Sequence, residues 1–272
     1  VYTLVTNCID HGGALTLEHT AFLLDAVGKM APADYAEETV QMVGRVTKCY
    51  IVHSKVLAGA DDSPIKDRGI GLKIIWSVEL SNGGDASNDA EVQLSALGVL
   101  SDLLAKPFCA EPRAEYLDNC VNNVCEGKNV ERSLKLIQLV VEKQADRRYN
   151  YDRHGSSAVD DDEATLRDLE SNHMLLRLLV KEMKRFAKSD AGVPGAVSAE
   201  SGLRARLQFL DFYLSHSPGL ALQLEQVVQL WDCLATPDGS GAPGHAELFF
   251  DWLSDLLPKY ATTYKGESTM SE

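Results

Sequence analysis

The chain has 272 residues and a mass of 29.7 kDa, with 26 Lys and Arg against 40 Asp and Glu, a formal charge of −14. That charge argues against a general binder of phosphate backbones, which carries a basic footprint. An apolar content of 45% is too high for intrinsic disorder, and no run of about 18 uncharged apolar residues reads as a membrane span.

Helical periodicity runs almost throughout. Thr16 opens a first helix with Glu18 in its first turn, and Leu23, Leu24, Val27 and Met30 follow at three- and four-residue steps up to Pro32. A second helix is expected over about 34–57, with Val40, Val43, Val46, Tyr50 and Ile51 on one face. The stretch Gly59 to Gly69 reads as a loop. Leu72 to Leu80 is a short apolar helix containing Trp76, and Ser81-Asn82-Gly83-Gly84-Asp85 breaks it. Asp89 is placed to cap the next helix, with Val92, Leu94, Leu97, Leu100, Leu103 and Leu104, which must end before Pro107.

Pro112 sits near the start of a helix whose apolar residues are Tyr116, Leu117, Cys120, Val121 and Val124 and which stops at Gly127. Asn129 opens another, with Leu134, Leu136, Ile137, Val140 and Val141. Two longer helices are expected, about 161–188 and 199–215, then a pair at about 219–234 and 245–257 around the loop Thr236 to Gly244. Strand alternation is absent. Helix pairs recur every 40–45 residues or so, the spacing of HEAT and armadillo repeats. The expected fold is all-α, an armadillo- or HEAT-like α-solenoid of about five helix pairs. A single array spans 1–264, with flexible loops at 149–160 and 189–198 and a mobile tail at 265–272. A compact irregular helical domain is the other architecture that this pattern allows.

No catalytic or metal-ligating constellation stands out. The six cysteines, Cys8, Cys49, Cys109, Cys120, Cys125 and Cys233, are irregularly spaced and include no CxxC pair. Free, mostly buried thiols in a reducing compartment are expected, hence a cytoplasmic location with the nucleus also open. The first residue is Val, no secretory signal is visible, and a piece of a longer chain is expected. Cys8 lies near His11, but a loose pairing of a thiol with an imidazole specifies no nucleophile without an oxyanion donor. Cys120 and Cys125 diverge by about 140° around a helix and do not make a zinc half-site.

Asp160-Asp161-Asp162-Glu163 lacks the carboxylate alternation and glycine of a calcium loop and stands where acids favour a helix start. Gly69-Ile70-Gly71 has no third glycine and does not make a phosphate loop. No cofactor or metal is expected. Lys181, Lys184, Arg185 and Lys188 form a basic stripe late in a helix. They are the candidate partner-binding residues, a docking patch for an acidic partner set against the ordinary role of cations at a helix C-terminus. Arg147, Arg148, Arg204 and Arg206 form weaker basic pairs.

Leu230-Trp231-Asp232-Cys233-Leu234, then Glu247-Leu248-Phe249-Phe250-Asp251-Trp252-Leu253, resembles a helix pair in the large ubiquitin-specific proteases of the fat-facets type. Tyr116-Leu117-Asp118-Asn119-Cys120-Val121 and Ser133-Leu134-Lys135-Leu136-Ile137 are similar to the helical region upstream of the protease domain there. The resemblance covers about the C-terminal two thirds of the chain, and its motifs are packing signatures. It implies a very large cysteine-type deubiquitinase as parent, with armadillo-like flanks that present substrates and adaptors. The family's Gly-Asn-Thr-Cys and Gly-His-Tyr boxes are missing. Asn7-Cys8 lacks the preceding Gly, and Gly244-His245-Ala246 is not the second box, so no catalytic residue carries over.

The expected function is a non-catalytic scaffold. Its partners are other proteins or ubiquitinated substrates, and it contacts neither nucleic acid nor membrane. A helical-repeat scaffold of an unrelated cytosolic complex and a small helical ligand-binding domain are the alternatives.

Overall fold

The computed structural model describes residues 5, 7–9, 15–31, 34–56, 69–79, 90–152, 162–189, 197–217, 220–235 and 244–267. Among them are eleven α-helices and no strand: α1 Leu17–Gly28, α2 Glu37–Val56, α3 Ile70–Glu79, α4 Ala90–Leu104, α5 Ala110–Glu126, α6 Val130–Asp152, α7 Asp162–His173, α8 Leu175–Ser189, α9 Val197–His216, α10 Leu224–Leu234 and α11 His245–Glu267. The chain divides into two compact units, Val1–Leu117 with Leu139–Asp160, and Asp118–Gln138 with Asp161–Glu272. The divisions fall inside α5 and α6, so neither unit is one contiguous stretch of sequence.

In the first unit α2 packs against α1, α3 and α4. Thr16 begins α1 as its N-cap, its hydroxyl accepting from the His19 amide at 3.2 Å. Leu24 and Val27 are buried, and the Tyr35 hydroxyl closes the helix end by donating to the Val27 carbonyl at 2.9 Å. Val40, Val43, Val46, Tyr50 and Ile51 are all buried, as their spacing predicts. Two glycines let helices approach closely. A Cβ on Gly71 of α3 would collide with Thr47 of α2, and one on Gly44 of α2 would collide with Val99 of α4. Gly71 therefore serves helix packing.

The end of α4 is held by polar contacts from later in the chain. Arg113 donates to the Leu104 carbonyl at 3.3 Å. Lys143 reaches Asp102 at 2.6 Å, Ser101 Oγ at 2.8 Å and the Gly98 carbonyl at 3.1 Å. Leu94 departs from expectation: it is 70% exposed, because α4 turns Val92, Leu97, Leu100, Leu103 and Leu104 inward instead.

The second unit contains the clearest correction. The sequence predicts one helix over about 161–188, but the structure has two, α7 and α8, separated at Met174, whose φ is +52°. Glu170 accounts for the break: its carboxylate accepts from the Leu176 amide at 3.0 Å, capping α8, and from the Tyr213 hydroxyl at 2.6 Å. His173, the last residue of α7, meets Asp118 at 2.7 Å. The Tyr213 and Asp118 contacts come from 43 and 55 residues away, and the local pattern Ser171-Asn172-His173 reads as an ordinary polar helix face.

Below the break, α8 buries Leu175, Leu176, Leu179, Val180 and Met183. It also buries Glu182, whose carboxylate accepts from Arg206 of α9 at 3.0 Å and pairs with Arg185. Arg206 stacks 4.0 Å over the Phe186 ring and donates to the Gly202 carbonyl at 2.8 Å.

Other boundaries shift. α6 continues through Asp152, so 149–152 are helical where a loop is expected, and Ser189 ends α8 while Val197 begins α9, so 189 and 197–198 of the expected loop 189–198 are helical too. α10 starts at Leu224, not near Gly219, with Gln226 Oε1 accepting from the Gln223 amide at 2.8 Å. The apolar run Leu220-Ala221-Leu222 before it conceals the true start. α11 runs to Glu267, past the expected end. The expected loops at 59–68, 81–85, 153–160, 190–196 and 236–243, the Asp89 cap, and tail residues 268–272 lie outside the described residues.

Removing Arg206 leaves a buried carboxylate with one partner fewer. Arg206→Ala is expected to cost about 3–5 kcal/mol in urea unfolding, and the paired change Glu182→Leu with Arg206→Met is expected to recover most of that loss. Met174 is 57% exposed, so the backbone dominates its substitution. Met174→Gly is expected to stabilise by about 0.5–1 kcal/mol and Met174→Val to destabilise, measured by the same titration.

Candidate functional site

The basic stripe of α8 does not act as one unit. Lys181 is exposed and Lys184 half-buried, and both line an open groove of about 430 Å³ within the second unit. Arg177 and Val180 of α8 complete that wall, and Gln223, Glu225, Gln226 and Gln229 form the other. Arg177, Lys181 and Lys184 have no carboxylate partner among the described residues, although the chain carries a charge of −14.

Arg185 has a different task. It donates to the Cys125 carbonyl at 2.7 Å and the Val124 carbonyl at 2.8 Å, in the last turn of α5, while its other contact is Glu182. It therefore satisfies carbonyls that the end of a helix leaves without intrahelical donors. Gly127 makes room for it. Its φ is +73°, and a Cβ there would meet the Arg185 guanidinium at 2.6 Å. Lys188 is exposed in the last turn of α8. With Lys184 it lies near enough to Cys233 to favour the thiolate there, but burial dominates and holds that thiol above its ordinary pKa.

Arg204 forms an exposed pair with Glu200 on the same helix, and Arg206 belongs to the buried Glu182 network. The side chains of Arg147 and Arg148 lie outside the described residues. Arg177 was missed in the sequence, though its signal was there: it stands four residues before Lys181, one helical turn away on the same face.

Among the described residues, no three His, Cys, Asp or Glu side chains gather where they could hold a metal, and no single helix is long and apolar enough to cross a membrane. The six thiols are free, but only Cys109 and Cys120 are fully buried, which corrects the expectation of mostly buried thiols. Cys125 is exposed, as its divergence from Cys120 predicts, and Cys8 is half-buried. His11, the neighbour considered for Cys8, lies outside the described residues.

The residues that carry the family resemblance build a packing seam. Leu230 and Leu234 of α10 and Phe249 of α11 are buried. Trp231 meets Phe250 edge-on with ring centroids 5.2 Å apart, and Phe249 stacks on Trp252 at 5.8 Å. Trp231 and Phe250 remain 42% exposed, continuing a stripe with Leu224 and Val228. In the earlier motif pair, Tyr116, Leu117, Cys120, Val121, Ser133, Leu134, Leu136 and Ile137 are buried.

A family model, the UBP24/USP9X/USP9Y ARM repeat, matches residues 72–268, more than two thirds of the chain. The chain belongs to that family. Its fold is all-α and armadillo-like, as the helical periodicity and the fat-facets-type resemblance predict. No curated protein and no solved structure matches the chain significantly. An ARM repeat region is a non-catalytic helical region, and the family name links it to UBP24, USP9X and USP9Y.

The two roles within the basic stripe are separable by stability. Arg185→Ala takes a donor from the Cys125 and Val124 carbonyls, the second of which keeps the Gly127 amide at 3.2 Å, and weakens the Glu182 network, with an expected loss of about 1.5–3 kcal/mol in chemical denaturation. Lys181→Ala and Lys184→Ala, which touch no carboxylate, are expected to stay within about 0.5 kcal/mol of the parent chain.

Proposed function

We propose that this ARM repeat region is a non-catalytic scaffold of a large cysteine-type deubiquitinase, presenting substrates or adaptors to a protease domain elsewhere in the same protein. The family match over residues 72–268 carries this reading, since the family is named for proteins of that kind. The structure supports it in a second way. Helical arrays offer surfaces on which partners dock along grooves between neighbouring helices. The groove between α8 and α10 is a surface of that type, with cations that no internal carboxylate occupies. The setting we propose is cytoplasmic, and the partners are proteins.

A tethered scaffold acts by raising the local concentration of a substrate near the catalytic site. Deleting residues 72–268 from the full-length protein is therefore expected to leave hydrolysis of a fluorogenic ubiquitin substrate unchanged. Turnover of a ubiquitinated protein substrate is expected to fall roughly tenfold or more. Equal loss of both activities would make the region part of the catalytic machinery. Loss of neither would remove the scaffold role. The isolated chain is expected to hydrolyse no ubiquitin conjugate, and hydrolysis that Cys8→Ala abolishes would contradict the proposal outright.

A further inference from the structure

We propose that the groove between α8 and α10 binds an acidic, extended segment of a partner protein, with Arg177, Lys181 and Lys184 as its anion-binding wall. This rests on the scaffold reading above and names its site and partner chemistry. Three observations carry it.

The first is charge. The groove holds three cations against the single carboxylate of Glu225, in a chain whose acids outnumber its bases 40 to 26. Arg185, Arg204 and Arg206 find carboxylate partners within the chain. Arg177, Lys181 and Lys184 stay without one among the described residues. Such a patch steers and holds a negatively charged partner.

The second is spacing. Arg177, Lys181 and Lys184 fall on one helix face, with neighbouring charges about 4.5–6 Å apart along its axis. Alternate side chains of an extended strand share one face and recur about every 6.6 Å, so acids at every second position meet successive cations within the reach of Lys and Arg. The facing wall presents the side-chain amide of Gln229, which both donates and accepts, as an extended backbone requires.

The third is size. The groove is open to solvent and encloses about 430 Å³, within the range of ligand-binding clefts. Nucleic acid is disfavoured by the −14 charge around this small basic patch.

The test is fluorescence anisotropy on the whole chain, using a fluorescein-labelled peptide of alternating Glu and Ser, with a Gln-Ser peptide as control. The Glu peptide is expected to bind and the Gln peptide not to, with affinity falling as salt is raised. Lys181→Glu with Lys184→Glu is expected to weaken binding roughly tenfold or more, while Lys135→Glu, an exposed charge change on α6, leaves it unchanged. Far-ultraviolet circular dichroism confirms that each variant is folded.

No binding, equal binding of the Gln peptide, full binding by the double variant, or tighter binding of a single-stranded oligonucleotide that displaces the peptide would each overturn the proposal. The assay reads only the groove. A failure here together with substrate loss on deleting residues 72–268 would remove this site and leave the scaffold role standing. Peptide binding without substrate loss on that deletion would do the reverse.

Discussion

The carboxylate of Glu182 organises the second unit. It is buried on α8, where an uncompensated charge would be costly, so it must be surrounded by donors. Arg206 arrives from α9 and Arg185 from one turn further along α8. Arg185 is thereby fixed where its remaining donors reach the last carbonyls of α5. One buried acid thus ties three helices together. It also sorts the cations of α8: Arg185 is held by structural contacts, and Arg177, Lys181 and Lys184, on the adjoining face, stay on the groove wall. A stripe that looks uniform in sequence is divided into two roles by a single acidic residue within it.

A second acid, Glu170, does comparable work at the start of α8. Its side chain caps that helix and accepts from Tyr213, so the chain accepts a left-handed Met174 where the polar end of α7 meets the apolar start of α8. Burial, with the contact to this carboxylate added, holds the Tyr213 phenol well above its ordinary range, so it stays protonated and continues to donate. The break sets the register in which α8 presents its basic face. A continuous helix through Met174 would leave Glu170 within its own turn pattern instead of at a helix start.

Local signals made much of the fold legible. The faces of α2, α5 and α6 follow from apolar spacing, because burial at three- and four-residue steps is a property of the sequence itself. Gly127 and Asn129 mark a real boundary, both with positive φ. What escaped was tertiary. The break at Met174 depends on Glu170, Tyr213 and Asp118, and Asp118 lies 55 residues from the histidine it meets. The exposure of Leu94 depends on which face of α4 its neighbours cover. For the candidate site, the stripe was visible from charge alone, but the separation of Arg185 from Lys181 and Lys184 required knowing that the end of α5 comes within reach.

The central claim is that Glu182 divides the cations of α8 into structural and ligand-facing sets. Side-chain nuclear magnetic resonance of the Arg and Lys groups, followed while an acidic peptide is titrated in, tests that division most directly. The resonances of Arg177, Lys181 and Lys184 are expected to shift together along one saturating curve, while those of Arg185 and Arg206 stay in place. Movement of Arg185 or Arg206 along that curve, or a silent Lys181 and Lys184, would contradict the account.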